Sequence, residues 1–249
     1  MQRFNGMLFL GRFFALLALW AAGVLVLFYP ADGQAGDVPK PGKIRLAVLY
    51  FDNESLTDRE RLEGLRKGIA DTLISDLGRL DRFQVLERER LDALLAEMKL
   101  QQTGLVDPDT AVKIGRLLGV QALLLGSYTA IGGMIRLDAR IVEVETGLLL
   151  KAEEVTGPVD DFFRLEEALV ERIAAGLDAP LTTEERYLLA RTQGRSFTAL
   201  LAYARGIDAM DRGRSDEAEE AFAEALRIDP GFAPAEAKRK ALKKGKGKP

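Results

Sequence analysis

The segment from Lys113 to Lys151, KIGRLLGVQALLLGSYTAIGGMIRLDARIVEVETGLLLK, constrains the fold more than any other part of the chain. It predicts the end of a helix and then three strands joined by two tight turns. Gly132-Gly133 suits the first turn, and Thr146-Gly147 forms the second. In the middle strand, apolar residues alternate with charged ones, which is typical of a strand with one solvent-facing side. The segment therefore predicts an antiparallel scaffold, with no residue suited to covalent or metal chemistry.

The residues before and after this segment predict the rest of a folded domain at 44–178. Ile44 to Phe51 is an apolar strand, and Arg82 to Leu86 is a second one. Amphipathic spacing and capping residues predict four helices. The first runs from Asp58 to Leu80 and begins with a capping box of Thr57 and Glu60, and the second runs from Glu87 to Gln101. The third begins at Asp107-Pro108 and ends at Gly119, and the fourth runs from Asp160 to Leu177. The order β-α-β-α-α-β-β-β-α predicts a mixed-sheet α/β sandwich.

The chain contains no histidine and no cysteine. This composition excludes Ser-His-Asp and Cys-His nucleophilic pairs, thiol redox chemistry, disulfides and the usual zinc sites. The 35 basic and 38 acidic residues give a net charge of −3, so the chain shows no nucleic-acid bias. Carboxylate or lysine chemistry and an oxygen-only magnesium site stay open. We predict no catalytic, cofactor-binding or metal-binding residue and no small-molecule substrate.

Two charged segments are candidate ligand sites. Asp52, Asn53 and Glu54 follow the first strand, where α/β folds often bind ligands, but turn and helix-entry chemistry explains them better. Arg88 and Arg90, together with neighbouring glutamates, predict a solvated helix start.

Residues 1–35 read as a targeting segment. Arg3 and Arg12 precede the uncharged apolar run from Phe13 to Tyr29, and Gly33-Gln34-Ala35 offers a cleavage site. A cleaved signal peptide and a retained membrane anchor are both open, and either one exports the rest of the chain. Residues 36–43 form a Pro/Gly linker.

The carboxyl-terminal part, 182–243, predicts a small α-helical region containing one tetratricopeptide-type repeat at 199–232. The residues that set its helix packing fall at the register of such repeats: Ala202, Gly206, Ala209, Ala218, Phe222, Ala225 and Pro230. Because one repeat cannot bury its own face, we expect it to pack on the helix at Glu184 to Thr192 and on a cap at Pro234 to Leu242. The alternative is an adaptor that docks a peptide or a subunit. The basic tail, 244–249, is expected to be disordered and solubilising, with contact to an anionic surface as the alternative.

Ile44 to Gly157 resembles the globular domain of the CsgG family of curli-secretion proteins. The fold of that domain is also similar to the amino-terminal domain of TolB. The resemblance is carried by IRLAVLYFDN, by the block from Phe83 to Tyr128 that begins FQVLERERLDALL, and by RIVEVETGLLLKAEEVTG. The family's pore form carries a lipidated cysteine and two long membrane hairpins. This chain has no cysteine and has short turns at the corresponding connections, so only the soluble fold carries over.

The resemblance implies a non-enzymatic, exported protein of the Gram-negative periplasm that supports assembly or export of an envelope component. It implies contacts with envelope proteins, self-association, and membrane contact if residues 1–35 stay attached. One alternative is a membrane-anchored regulatory module acting on a cell-wall synthase or another envelope enzyme. Another is a sensor fragment of a signalling protein.

Overall fold

A computed structural model of the chain describes residues 42–97, 108–190 and 196–246. The apolar run from Phe13 to Tyr29 and the cap at Asp107 lie outside these residues. Within them, none of the helices is both long enough and apolar enough to cross a bilayer.

A five-stranded mixed sheet forms the centre of the fold. Its strands are β1 (Ile44–Asn53), β2 (Phe83–Val85), β3 (Ala122–Ile131), β4 (Met134–Glu143) and β5 (Leu149–Pro158), and they lie in the order β2-β1-β3-β4-β5. β1 runs parallel to β2 and β3, whereas β3, β4 and β5 are antiparallel neighbours. The predicted mixed-sheet α/β fold and its three-stranded antiparallel part are therefore confirmed.

Helices cover both sides of the sheet. The first group comprises α1 (Arg59–Leu62), α2 (Leu65–Gly78), α3 (Arg88–Glu97), α4 (Pro108–Leu118) and α5 (Phe162–Gly176), the last preceded by a 3₁₀ turn (Val159–Asp161). On one side α2 and α5 pack on β1, β4 and β5, and on the other α3 and α4 pack on β1, β3 and β4. Successive β3 residues enter opposite cores: Leu124 joins α2 and α5, and Leu125 joins α3 and α4.

The first helix does not begin with the predicted capping box. Asp58 takes a left-handed backbone conformation with φ of 54°, and no side chain caps α1, which then gives way to α2 at Gly64. The reason is a competing set of bonds after β1. Asn53 donates its side-chain amide to Arg59 O and to Glu63 Oε2, and Ser55 Oγ accepts from the Ala130 amide. These bonds fix the entry of the chain where the sequence predicted one continuous helix from Asp58.

The carboxyl-terminal residues form α6 (Thr183–Ala190), α7 (Phe197–Asp211), α8 (Ser215–Ile228) and α9 (Ala233–Lys246). α7 and α8 pack as a helical hairpin, and α9 packs on α8. The opposite side of α7 packs on α2, so one continuous apolar core includes residues of the sheet and of this hairpin. Pro39–Pro249 accordingly form one compact unit.

Candidate functional site

Part of one side of the sheet carries no helix in the described structure. α3 and α4 cover the half of this side that includes Leu123, Leu125 and Val142. Beyond them the outward side chains of β3, β4 and β5 line a shallow cavity of about 450 Å³. We call this surface the open face and define it by the residues Ser127, Thr129, Ile131, Met134, Arg136, Asp138, Arg140 and Thr156.

The charges of the open face are not all balanced by one another. Arg136 Nη2 lies 2.6 Å from Asp138 Oδ1 and 2.7 Å from Glu154 Oε2. Its hydrogen bonds to Asp138, together with the charges of both acids, raise the pKa of Arg136. Arg140 is exposed two residues after Asp138 on β4, and its guanidinium has no hydrogen bond or ion pair to any of the described residues. A guanidinium without a partner can donate hydrogen bonds to a carboxylate of another molecule.

The β3–β4 turn gives the open face an apolar end. Gly132 and Gly133 both have positive φ, 57° and 78°, which confirms the predicted tight turn. The turn presents Ile131 and Met134 to solvent, with 57% and 42% of their surface exposed. It stands between the open-face cavity and a second cavity of about 250 Å³ that reaches Phe197 and Leu201 of α7. A pair of exposed apolar side chains between two cavities is suited to protein contact.

A second feature is a buried ionic cluster at the junction of the sheet domain and the helical hairpin. Its centre is Arg88, at the start of α3, which is 2% exposed. Its Nη1 lies 2.8 Å from Asp92 Oδ2 on the same helix and 2.9 Å from Asp211 Oδ1 at the end of α7. The same nitrogen donates to the Tyr50 hydroxyl at 2.8 Å. The sequence predicted Arg88 in a solvated helix start, and this prediction was wrong for Arg88, because Tyr50 of β1 and Asp211 of α7 surround its guanidinium.

The remaining members of the ionic cluster tie α2 to the helical region. Asp71 of α2 accepts a hydrogen bond from the buried Tyr203 hydroxyl of α7. Lys238 of α9 lies 3.3 Å from Asp71 Oδ1 and 2.9 Å from Glu89 Oε1. Lys67 of α2 lies 2.7 Å from Asp211 Oδ2. The cluster is therefore a set of ion pairs that joins elements from distant parts of the chain.

Burial and charge act in opposite directions on these groups. Burial alone would lower the pKa of Arg88, but Tyr50, Asp211 and Asp92 outweigh it and raise that pKa. Burial raises the pKa of Tyr203, and the charge of Asp71 raises it further. Burial would raise the pKa of Glu89, but the hydrogen bond and charge of Lys238 leave it below its ordinary value. Tyr203 thus stays neutral, and Arg88 and Glu89 stay charged, near neutral pH.

The residues predicted to set the repeat packing lie together in the helical hairpin. Ala202, Gly206 and Ala209 are buried on α7, whereas Ala218, Phe222 and Ala225 are buried on α8. A Cβ atom at Gly206 would lie 2.4 Å from the Phe222 ring, so the two helices approach closely there. Pro230 lies exposed in the turn after α8.

Two other sequence interpretations can be placed in the structure. The contact of α9 with α8 agrees with the expected cap. Outside the hairpin, however, α7 packs mainly on α2, whereas the sequence predicted the helix at Glu184 to Thr192 as its support. Asp52 pairs with Arg66 at 3.4 Å, and Asn53 holds the turn before α1.

Arg88, Tyr203 and Lys238 were missed as a group because they come from three separated helices and carry no local motif. The described residues also contain no group of three acidic, histidine or cysteine side chains that could hold a metal ion.

Residues 30–134 match the family model described as "Curli production assembly/transport component CsgG". The predicted resemblance is confirmed. This match spans β1 to the start of β4. The assignment of residues 199–232 to a tetratricopeptide repeat stays a prediction.

Individual proteins were also found to be similar. A protein of Rhizobium meliloti (strain 1021), named "Putative adenylate cyclase 3", is 28% identical over 200 residues. That alignment covers 79% of this chain but only 32% of the relative, so the chain spans about a third of that protein's length.

Among solved structures, the LpoB C-terminal domain from Salmonella enterica is 22% identical, with a TM-score of 0.34 and coverage of 49% of this chain and 87% of that one. Lipoprotein GNA1162 from Neisseria meningitidis is 17% identical, with a TM-score of 0.40 and coverage of 53% of this chain and 99% of that one.

Proposed function

We propose that the chain is a non-enzymatic accessory protein of the Gram-negative envelope, which acts in the periplasm by binding other proteins. Its role would be to support the assembly or export of an envelope component. The observation that carries this proposal is the open face with its apolar turn, a surface that the fold holds rigidly and leaves uncovered in the described residues. The CsgG-family match supports the envelope location, and the export segment predicted at residues 1–35 agrees with it.

The surface has the composition of a transient protein interface. Ile131 and Met134 supply apolar contact area, and the hydroxyl groups of Thr129 and Thr156 lie beside them. Arg140 supplies a charge that is free to pair with a carboxylate of the partner. β4 pairs with β3 on one side and with β5 on the other, so the backbone beneath these side chains is already ordered. The surface therefore loses little conformational freedom on binding.

Site-specific photocrosslinking in cells tests this proposal. A photoreactive residue at Met134 should give discrete crosslinked protein bands, whereas one at Arg227, an exposed position on α8, should not. The substitution Arg140→Glu should weaken the Met134 bands several-fold, since it opposes a partner carboxylate with a like charge. Equal crosslinking from both positions, or crosslinking of Met134 to lipid alone, would contradict the proposal.

The relative named as an adenylate cyclase raises a second candidate, a cyclase activity. We favour a shared non-catalytic module, because the chain spans about a third of that protein. The full chain should form no cyclic AMP from ATP with Mg²⁺ or Mn²⁺ above a buffer control. Formation of the product in proportion to the amount of chain would establish an enzyme instead.

A further inference from the structure

The outer side of β5 forms one edge of the sheet. β5 has ten residues and pairs with β4 on one side, and among the described residues no strand pairs with its other side. A long unpaired edge presents backbone groups that can hydrogen-bond to another strand. Proteins usually protect such edges with charged side chains, with proline or with a covering element.

The register with β4 shows which backbone groups of β5 face this edge. The Val159 amide donates to Gly133 O, and these two residues are opposite each other in the β4–β5 register. Hydrogen-bonded pairs alternate along an antiparallel ladder. From Lys151 to Gly157, after the register shift beside Ile141, the odd-numbered residues of β5 therefore bond to β4, and Ala152, Glu154 and Thr156 point their amide and carbonyl groups outward. Pro158 also faces outward and has no amide hydrogen to donate.

One side chain closes the middle of this edge. Arg172 of α5 reaches around β5, and its Nη1 donates to the outward carbonyl of Glu154 at 2.6 Å. The same nitrogen lies 3.8 Å from Glu153 Oε2, so the two opposite charges attract each other there. A strand added to β5 would lie about 4.8 Å away, in the space that the guanidinium occupies. Strand addition is thus incompatible with this position of Arg172.

We propose that Arg172 prevents the β5 edge from pairing with the β5 edge of a second copy of this chain. Charge complementarity selects one register for the pairing that it prevents. In antiparallel pairing centred on Ala152, Lys151 of each copy lies opposite Glu153 of the other, and opposite charges across strands are favourable. Centring on Glu154 instead would place two glutamates opposite each other, which is unfavourable.

The test compares the self-association of full-chain variants by analytical ultracentrifugation. Arg172→Ala should lower the dimer dissociation constant at least tenfold relative to the wild type. Arg164→Ala is the matched control, since Arg164 lies on the same helix and its side chain pairs, among the residues the structure describes, only with Asp161. It should leave association unchanged. Wild-type association in Arg172→Ala, in a chain whose circular dichroism shows it to be folded, would overturn the proposal.

Two further variants keep the test independent of any stability effect at position 172. Ala152→Pro removes an outward amide hydrogen without breaking a bond to β4, so Arg172→Ala with Ala152→Pro should return to the wild-type dissociation constant. Association that survives this proline would show that the edge is not the contact. In the Arg172→Ala background, Lys151→Glu should weaken the dimer, and adding Glu153→Lys should restore it. Failure of the restoration would refute the Ala152-centred register.

Discussion

Replacing Arg88 by methionine tests whether the ionic cluster holds the helical hairpin on the sheet domain. Methionine fills much of the same volume without a charge, so the substitution isolates the electrostatic contribution. Removing one partner of a buried ion pair typically lowers the free energy of unfolding by about 3–5 kcal/mol, because the opposing charge stays buried.

The structure places the expected cost of Arg88→Met at the lower end of that range. Three of the four carboxylates that it leaves keep a cation, since Asp71 and Glu89 retain Lys238 at 3.3 and 2.9 Å and Asp211 retains Lys67 at 2.7 Å. Asp92 keeps the Tyr50 hydroxyl at 2.9 Å and has 36% of its side chain exposed. In addition, the Nε of Arg88 lies 3.4 Å from Asp71 without hydrogen-bond geometry, so little is lost there. We therefore expect a loss of about 3 kcal/mol.

Urea unfolding of the full chain measures this loss, with Arg90→Met as the control. Arg90 is exposed on the same helix, so its substitution should change the free energy of unfolding by less than about 0.5 kcal/mol. Amide hydrogen exchange in Arg88→Met should accelerate more in α7 and α9 than in the central strand β3, because the hairpin loses its attachment first. A loss below about 1 kcal/mol, or uniform acceleration of exchange, would refute the idea that Arg88 holds these parts together.

Two other predictions concern packing and pH. Gly206→Ala should lower the free energy of unfolding by about 1–2 kcal/mol in a thermal or urea melt, since its Cβ would meet the Phe222 ring at 2.4 Å. Gly78→Ala has open space and should instead be neutral or stabilise by up to about 1 kcal/mol; equal effects would contradict the packing argument. Glu89→Gln should cost a fraction of a kcal/mol at neutral pH, because Glu89 is half exposed. The pKa of Glu89 is lower in the folded state than its ordinary value of 4.5, so the contribution of its ion pair with Lys238 is lost as pH falls through the folded-state pKa. Wild-type and variant melting temperatures should therefore converge as pH falls below the folded-state pKa of Glu89, and a difference that stays constant from neutral pH until the wild type unfolds in acid would contradict the assignment.

The order of strands and helices was predictable because it depends on local patterns. Alternation in β4 and the paired glycines of the β3–β4 turn define the antiparallel part, and both appear in the structure as expected. Gly119 ends α4 with φ of 62°, as a carboxyl-terminal glycine should. The break at Gly64 was not predictable in this way, because it depends on bonds from Asn53, ten or more residues away in the chain.

The open face and the ionic cluster depend on relations that sequence periodicity does not contain. Which part of a sheet stays uncovered depends on how far α3 and α4 extend across it. Arg88 looked solvated because its neighbours in the sequence are charged, whereas in the fold it pairs with Asp211, more than a hundred residues later.

One residue nevertheless carried a usable signal for the docking of the helical hairpin. Gly68 is the fourth residue of α2, inside the helix, where glycine costs about 1 kcal/mol relative to alanine, so its presence there predicts a compensating contact. The structure provides that contact, since a Cβ atom at Gly68 would lie 2.9 Å from the Cβ of Ala204 on α7. The side of α7 that contains Leu200, Ala204 and Ile207 is therefore already occupied by the chain's own α2. An adaptor that binds a peptide through this side of α7 would first have to detach the hairpin, which makes the open face the more accessible surface for a partner.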